Sequence, residues 1–121
     1  MTRPYAILIV EDEPIVALSL AFAVEAAGAV VLGPAASTAE ALQLLTDAVV
    51  DAAIVDVVLE DRDITPVALA LIDRRVPFVV HTGTGLPAEL AAMHPDLPVL
   101  MKPINAGEVM ARLMLQIRGD G

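Results

Sequence analysis

The chain has 121 residues and a mass of 12.6 kDa, and we expect residues 1–121 to form a single domain. Its formal net charge is −9 with only seven lysines and arginines, too few to neutralise phosphates along a nucleic acid, so nucleic-acid binding is not expected. No apolar run approaches the ~20 residues of a membrane helix, and no cysteine is present, which excludes disulfides and thiolate chemistry. The start of the chain lacks the layout of a signal peptide, so the expected location is the cytoplasm.

The first quarter of the sequence predicts a strand, a helix and a second strand. Residues 5–10 are apolar at every position, as in a strand that is buried on both faces. Pro14 suits the first turn of a helix that is predicted to run to about Ala27 and to end at Gly28. A second strand is predicted at residues 29–32, followed by a turn at 33–34.

The remaining elements continue the alternation of strand and helix. Ser37 and Glu40 form a capping box that predicts a helix to about Thr46. The following elements are a strand at 52–55, a helix at 65–74 that is capped by Thr65, strands at 76–80 and 97–101, and a helix at 105–117 that is capped by Asn105. Residues 84–96 contain two proline residues and leave room for only a short helix. The repeated order predicts an α/β fold with a doubly wound, five-stranded parallel sheet and helices on both faces.

Polar residues are concentrated where the predicted strands end. Ligands of such sheets bind beyond the carboxyl ends of the strands, so these side chains are expected to converge. Carboxylates that lie close together repel one another unless a cation joins them, and Mg²⁺ suits a site made of oxygen atoms. The residues in question are Glu11, Asp12 and Glu13 after the first strand, Asp56 after the third, Thr82 after the fourth and Lys102 after the fifth.

This set resembles the receiver domain of two-component response regulators over essentially the whole chain. The acidic pair Glu11-Asp12, the phosphoacceptor Asp56, the hydroxyl residue Thr82 and the pair Lys102-Pro103 match its motifs in order. The resemblance implies a flavodoxin-like sheet with strand order 2-1-3-4-5. It also implies that Asp56, Thr82 and Lys102 carry the chemistry. Mg²⁺ would be held by Glu11, Asp12, Asp56 and the backbone carbonyl of Val58.

The expected function is that of a phosphoprotein in phosphorelay signal transduction. Asp56 would accept a phosphoryl group from a sensor histidine kinase or a phosphotransfer protein and thereby switch an interaction with a downstream partner. The chain is expected to catalyse only its own phosphorylation and dephosphorylation and otherwise not to be an enzyme. It is expected to be a monomer or a weak homodimer. The alternative is a phosphorylation-independent interaction domain with a receiver fold. A flavodoxin-like electron carrier is disfavoured, because acids stand where a phosphate-cradling loop would be.

A subfamily is suggested by residues 77–83, Pro-Phe-Val-Val-His-Thr-Gly. This segment is similar to the Pro-Phe-x-Phe-Ala-Thr-Gly motif of the FAT GUY receivers, which often stand alone, work with HWE and HisKA2 kinases and have a short or disordered fourth helix. Val80 and His81 depart from that motif, and His81 is interpreted as a packed or surface residue. Val99 occupies the position of the aromatic switch residue of common receivers.

The first helix carries two apolar faces, and one sheet cannot bury both. Val16, Leu20 and Val24 are expected in the core. The second face, whose residues are expected to dock the kinase by resemblance, consists of Ile15, Leu18 and Phe22. On the last helix, Val109 and Leu113 are expected to form the core stripe, and Met110 and Met114, which lie off it, are expected to form an adaptable partner surface.

Overall fold

A computed structural model describes residues 3–119 and contains one five-stranded sheet within that range. Every neighbouring pair of strands is parallel, and the strand order is β2-β1-β3-β4-β5. This confirms the predicted fold class. The strands are β1 (Ala6–Val10), β2 (Val30–Ala35), β3 (Ala52–Val55), β4 (Phe78–Thr82) and β5 (Val99–Met101).

Helices cover both faces of the sheet, so that one layer of core lies on each side of it. On one face, α1 and α5 pack over alternate strand residues such as Ile9 and Ile54. On the other face, α2 and α3 pack over Leu8 and Val55, and α4 contributes Leu90, which is fully buried. The helices are α1 (Pro14–Ala26), α2 (Thr38–Asp47), α3 (Thr65–Asp73), α4 (Ala88–Met93) and α5 (Ala106–Arg118). No helix in the described range has the length and apolarity that crossing a membrane requires.

Helix starts follow local capping chemistry in two of three predicted cases. The Ser37 hydroxyl accepts a hydrogen bond from the backbone N–H of Glu40, and the Asn105 side chain does the same at the start of α5. The prediction for α3 was wrong in detail, because Thr65 is the first helical residue and not the cap. The Asp63 carboxylate accepts the Thr65 N–H instead, at 2.8 Å.

The predicted turn at residues 33–34 was wrong, because β2 continues through it to Ala35. Gly33 has a φ of +91°, which a side chain would strain. A Cβ there would lie 2.7 Å from the backbone nitrogen of Ala35. The register against β1 shifts at this point, so Val10 pairs with Ala35. The Gly-Pro sequence therefore forms an irregularity within an edge strand, whose end is set by its pairing with β1.

Strand β4 begins and ends two residues later than predicted. Its last residues pair with β5, His81 opposite Leu100 and Thr82 opposite Met101. Both side chains therefore belong to the strand and are held by the sheet, whereas the sequence placed them in the loop that follows. Pairing with β5 decides this boundary, and a single strand's composition does not contain that information.

The two faces of α1 behave as predicted, and the prediction for Met110 was wrong. Leu20 and Val24 are buried and Val16 is partly buried against the same core, while Ile15, Leu18 and Phe22 remain exposed. On α5, Met110 is only 4% exposed and packs in the core that α1 and α5 share. Met114, the other residue of the expected partner surface, is partly buried against the same core. The sheet and α1 together enclose a wider stripe of α5 than the Val109–Leu113 spacing alone indicates.

Candidate functional site

Three carboxylates meet where β1 and β3 end. One oxygen atom from each of Glu11, Asp12 and Asp56 lies within 4.8 Å of the other two. Glu11 and Asp56 are buried, and Asp12 is half-buried. Backbone hydrogen bonds continue the sheet around them, since the Asp56 N–H donates to the Val10 carbonyl at 2.8 Å. The predicted convergence of these three residues is therefore present in the structure.

Lys102 lies among these carboxylates and is their cationic partner. Its Nζ is 3.1 Å from Asp56 Oδ2, 3.3 Å from Glu11 Oε1 and 3.6 Å from Glu13 Oε1. Burial alone would lower the pKa of Lys102, but the hydrogen bond and charge of Asp56, together with Glu11, outweigh it and raise the pKa. Lys102 therefore remains an ammonium group beside Asp56.

Glu11 is the member of the cluster whose ionised form is disfavoured by its surroundings. Burial, to which the negative charge of Asp56 adds, raises its pKa to about 7. The Glu13 N–H, which donates to Glu11 at 3.2 Å, and the Lys102 charge act in the opposite direction without cancelling it. One ammonium group does not fully compensate the cluster, so a second cation would be bound favourably here.

The Asp56 carboxylate is fixed by two different donors. The backbone N–H of Val57 donates to its Oδ1 at 2.7 Å, and the Lys102 ammonium donates to its Oδ2 at 3.1 Å. Asp56 is only 6% exposed. Because both oxygens are held, the orientation of this carboxylate is set before any reactant arrives.

Thr82 is completely buried at the end of β4. Its hydroxyl accepts a hydrogen bond from the Thr84 N–H at 3.1 Å and lies 3.2 Å from the Thr84 hydroxyl. The sheet thus fixes Thr82, while its hydroxyl connects it to the segment that leads into α4.

The loop that follows Asp56 is clamped to the start of α2. The Asp61 carboxylate accepts the N–H groups of Thr38 at 2.8 Å and Ala39 at 3.1 Å. Val58 pairs with Asp63 in an isolated antiparallel bridge, which holds the backbone of the loop. The Val58 side chain is 56% exposed, so only its backbone is constrained. The sequence has no local signal for the role of Asp61, because the helix it caps lies 22 or more residues earlier in the chain.

His81 is a buried histidine on β4, next to Thr82. It is 4% exposed, and neither ring nitrogen has a hydrogen-bond partner among the residues that the structure describes. Burial lowers its pKa, and the neighbouring Lys102 charge lowers it further. The sequence left open whether His81 is packed or at the surface, and the structure packs it; the sequence has no signal for the missing hydrogen bonds.

The donor set of the cluster fits a hard divalent cation. Glu11, Asp12 and Asp56 offer carboxylate oxygens on a common centre, and Asp12 is accessible from solvent. Mg²⁺ prefers oxygen ligands, few carboxylates and several retained waters. The arrangement suits it better than a transition metal, since no nitrogen or sulfur ligand belongs to the group.

No family model and no curated protein matches the sequence, whereas solved structures match nearly all of it. The chain is similar to SdrG from Sphingomonas melonis Fr1, with 37% identity, a TM-score of 0.76 and coverage of 94% of this chain and 99% of that one. A protein from Chloroflexus aurantiacus that is named as a response regulator is 29% identical, with a TM-score of 0.81 and coverage of 96% and 99%. The chain belongs to the response regulator receiver domains.

A further receiver domain shares the fold at lower identity. It comes from a sensor histidine kinase of Pseudomonas aeruginosa and holds a magnesium ion in its active-site cleft. It is 22% identical, with a TM-score of 0.80, and 96% of this chain and 99% of that one are covered. The comparison supports the fold of the present receiver domain.

Proposed function

We propose that this receiver domain accepts a phosphoryl group on Asp56 from a phosphohistidine and transmits the signal through a protein interaction. The observation that carries the proposal is the Asp56 carboxylate itself, buried at a strand end, held by a backbone N–H and the Lys102 ammonium group and flanked by two further acids. A carboxylate that only capped the end of a strand would need neither the ammonium group nor the neighbouring acids.

The reaction exchanges one bond to phosphorus for another. An Asp56 oxygen would attack the phosphorus, the N–P bond would break, and its electron pair would return to the donor imidazole, leaving an aspartyl phosphate. Transfer of this kind depends on positioning and charge neutralisation. Lys102 would bind one phosphoryl oxygen and the Thr82 hydroxyl another. On this proposal the chain acts only on its own aspartate and has no separate substrate.

Mg²⁺ is proposed as the cofactor. Glu11, Asp12 and Asp56 would hold it, with the backbone carbonyl of Val58 as a further ligand by resemblance. The bound ion would neutralise charge on the phosphoryl oxygens. The carboxylates of this chain would orient it, and Asp61 keeps the loop that carries Val58 in place.

The proposal also covers the subfamily, the phosphoryl donor, the location and the oligomeric state. We assign the chain to the FAT GUY receivers, a proposal that the short α4, with only six residues, supports. The donor would be a sensor histidine kinase or phosphotransfer protein that docks on the exposed face of α1 formed by Ile15, Leu18 and Phe22. We further propose a cytoplasmic location and a monomer or weak homodimer.

Output would pass through Thr82. When its hydroxyl binds the phosphoryl group, the hydrogen bonds to Thr84 are lost, and the segment between β4 and α4 is released. Val99 supplies no aromatic ring to the process, so this polar connection is the proposed switch. Hydrogen exchange with and without beryllofluoride, a phosphate mimic, measures it, and the mimic is expected to change protection over residues 83–96. Unchanged protection there would place the switch elsewhere.

The function is tested with acetyl phosphate as a small donor. With Mg²⁺, intact-mass measurement should show one added phosphoryl group on the wild type and none on Asp56→Asn. Asp73→Asn, which removes an exposed acid at the end of α3, is the matched control and should be labelled normally. Beryllofluoride with Mg²⁺ should also stabilise the wild type. Absence of both responses would favour the alternative, a phosphorylation-independent interaction domain.

A further inference from the structure

The segment that joins β2 to α2 holds the backbone on two sides of the carboxylate site. The Ala35 carbonyl, at the end of β2, accepts the Glu11 N–H at 2.9 Å, and the Ala36 carbonyl accepts the Glu60 N–H at 3.3 Å. Glu11 is one of the three clustered acids, and Glu60 lies in the loop that follows Asp56. One short segment therefore contacts the backbone of Glu11 and that of the loop after Asp56.

Asp61 joins the same loop to the first turn of α2. The N–H groups in the first turn of a helix have no partner within the helix. In α2 the Ser37 hydroxyl accepts the N–H of Glu40. The Asp61 carboxylate accepts the N–H groups of Thr38 and Ala39, at 2.8 Å and 3.1 Å. The hydrogen bond from Thr38, together with that from Ala39, lowers the pKa of Asp61, so this carboxylate is ionised at neutral pH.

Thr38 and the base of the loop complete the connection to the acids. Thr38 is 2% exposed, and its hydroxyl donates to the Asp63 carbonyl at 3.2 Å. The next residue, Ile64, donates its N–H to the Val57 carbonyl at 3.0 Å. The Val57 N–H in turn holds Asp56 Oδ1 at 2.7 Å. Hydrogen bonds and the loop backbone therefore lead without a gap from the first turn of α2 to the Asp56 carboxylate.

We propose that Asp61 is a positioning residue for the carboxylate site, and that its attachment to α2 sets how tightly the site binds Mg²⁺. Without Asp61 the loop after Asp56 has more conformational freedom, and ordering the loop when the ion binds lowers the affinity. The coupling is reciprocal, so Mg²⁺ at the acids also stabilises the first turn of α2. The inference rests on the Mg²⁺ site of the proposed function and adds a residue and a helix that do not contact the ion.

The simpler alternative is that Asp61 only caps a helix. The chain offers a matched comparison, because Ser37 caps the same turn. Among the described residues the Ser37 side chain hydrogen-bonds only Glu40, within that turn. Asp61 instead reaches the turn from the loop that follows Asp56. Loss of either cap weakens α2, whereas only loss of Asp61 also frees a loop of the metal site.

The first test titrates the unphosphorylated protein with Mg²⁺ and follows backbone amide signals by NMR to obtain the dissociation constant. Asp61→Ala should raise this constant by roughly 3- to 10-fold, less than the loss of a group that contacts a metal ligand directly. Asp61→Asn keeps an acceptor oxygen without the charge and should recover part of the affinity, as an effect of geometry requires. Ser37→Ala should bind Mg²⁺ as tightly as the wild type.

The second test uses the wild type alone and therefore does not depend on the folding of a variant. Saturating Mg²⁺ should slow hydrogen exchange of the Thr38 and Ala39 amides. The expected factor equals the ratio of the two dissociation constants, roughly 3- to 10-fold, because the coupling free energy is the same in both directions. The Ala48 amide, which donates to Leu44 at the other end of α2, is the control and should exchange at an unchanged rate.

Equal dissociation constants for the wild type and Asp61→Ala would overturn the positioning role, as would an equal loss of affinity in Ser37→Ala. Exchange at Thr38 that does not respond to Mg²⁺ would overturn the coupling to α2, and a wild type that binds no Mg²⁺ would overturn the inference as a whole. Labelling by acetyl phosphate separates these results from the proposed function. If Asp61→Ala weakens Mg²⁺ binding but acetyl phosphate does not label Asp56, the phosphoacceptor function is at fault and the positioning role remains. If Asp56 is labelled but Asp61→Ala binds Mg²⁺ normally, only the positioning role is rejected.

Discussion

Replacing Glu11 by Gln should make the metal-free protein more stable at alkaline pH. In the folded protein the pKa of Glu11 is about 7, raised from its ordinary value of 4.5 by burial and by Asp56. Each pH unit of such a difference corresponds to about 1.4 kcal/mol, so the ionised form of Glu11 opposes folding by about 3 kcal/mol. Gln keeps the shape and the acceptor oxygen without the charge.

The effect has a defined pH window. Below pH 4.5 Glu11 is protonated in the folded and unfolded chains alike, and its carboxyl adds no electrostatic penalty. As the pH rises to 7 and above, the unfolded chain releases this proton first, so the wild type loses stability relative to Glu11→Gln. The difference in free energy of unfolding should therefore grow from near zero at pH 4.5 to about 2–3 kcal/mol at pH 8.

Urea unfolding at several pH values in the presence of EDTA measures this difference. Glu13→Gln is the control, because it removes a largely exposed carboxyl from the same loop and should change stability by less than about 0.5 kcal/mol. Adding Mg²⁺ should stabilise the wild type more than Glu11→Gln at pH 8, since the ion supplies the missing counter-charge. A wild type that is more stable than Glu11→Gln at pH 8 without metal would refute the reasoning and show that the Lys102 pairing dominates.

Three further changes test the scaffold and the docking face. Asp61→Ala should lower the unfolding midpoint and increase hydrogen exchange in the loop after Asp56. Ser37→Ala, which removes the side-chain cap of α2, should lower the free energy of unfolding by about 1 kcal/mol and leave that loop protected. Gly33→Ala should destabilise by about 1–3 kcal/mol because of its positive φ and the close backbone, while Gly107→Ala in α5 should be neutral or stabilising in the same thermal melts. Leu18→Asp should slow transfer from the kinase while sparing acetyl phosphate labelling, and equal losses in the two assays would mean that Leu18 is structural.

The sequence alone determined the order of the elements and the composition of the site. Uninterrupted apolar runs identified buried strands, and capping residues such as Ser37 and Asn105 located helix starts, because both signals act within a few residues. The alternation of strand and helix then required a parallel sheet, and a parallel sheet brings the ends of its strands to one edge. For that reason the proximity of Asp56 and Lys102 could be predicted from residues 46 positions apart.

Only the tertiary structure decided where strands end and which side chains lose contact with water. Strand β4 reaches Thr82 because β5 pairs with it there, and β2 passes through Gly33 because β1 offers a partner beyond the bulge. The burial of Met110 and the unpaired ring of His81 depend on what α1 and α5 pack against, which no local pattern contains. Pairing and burial are properties of two surfaces in contact, whereas a sequence pattern describes only one of them.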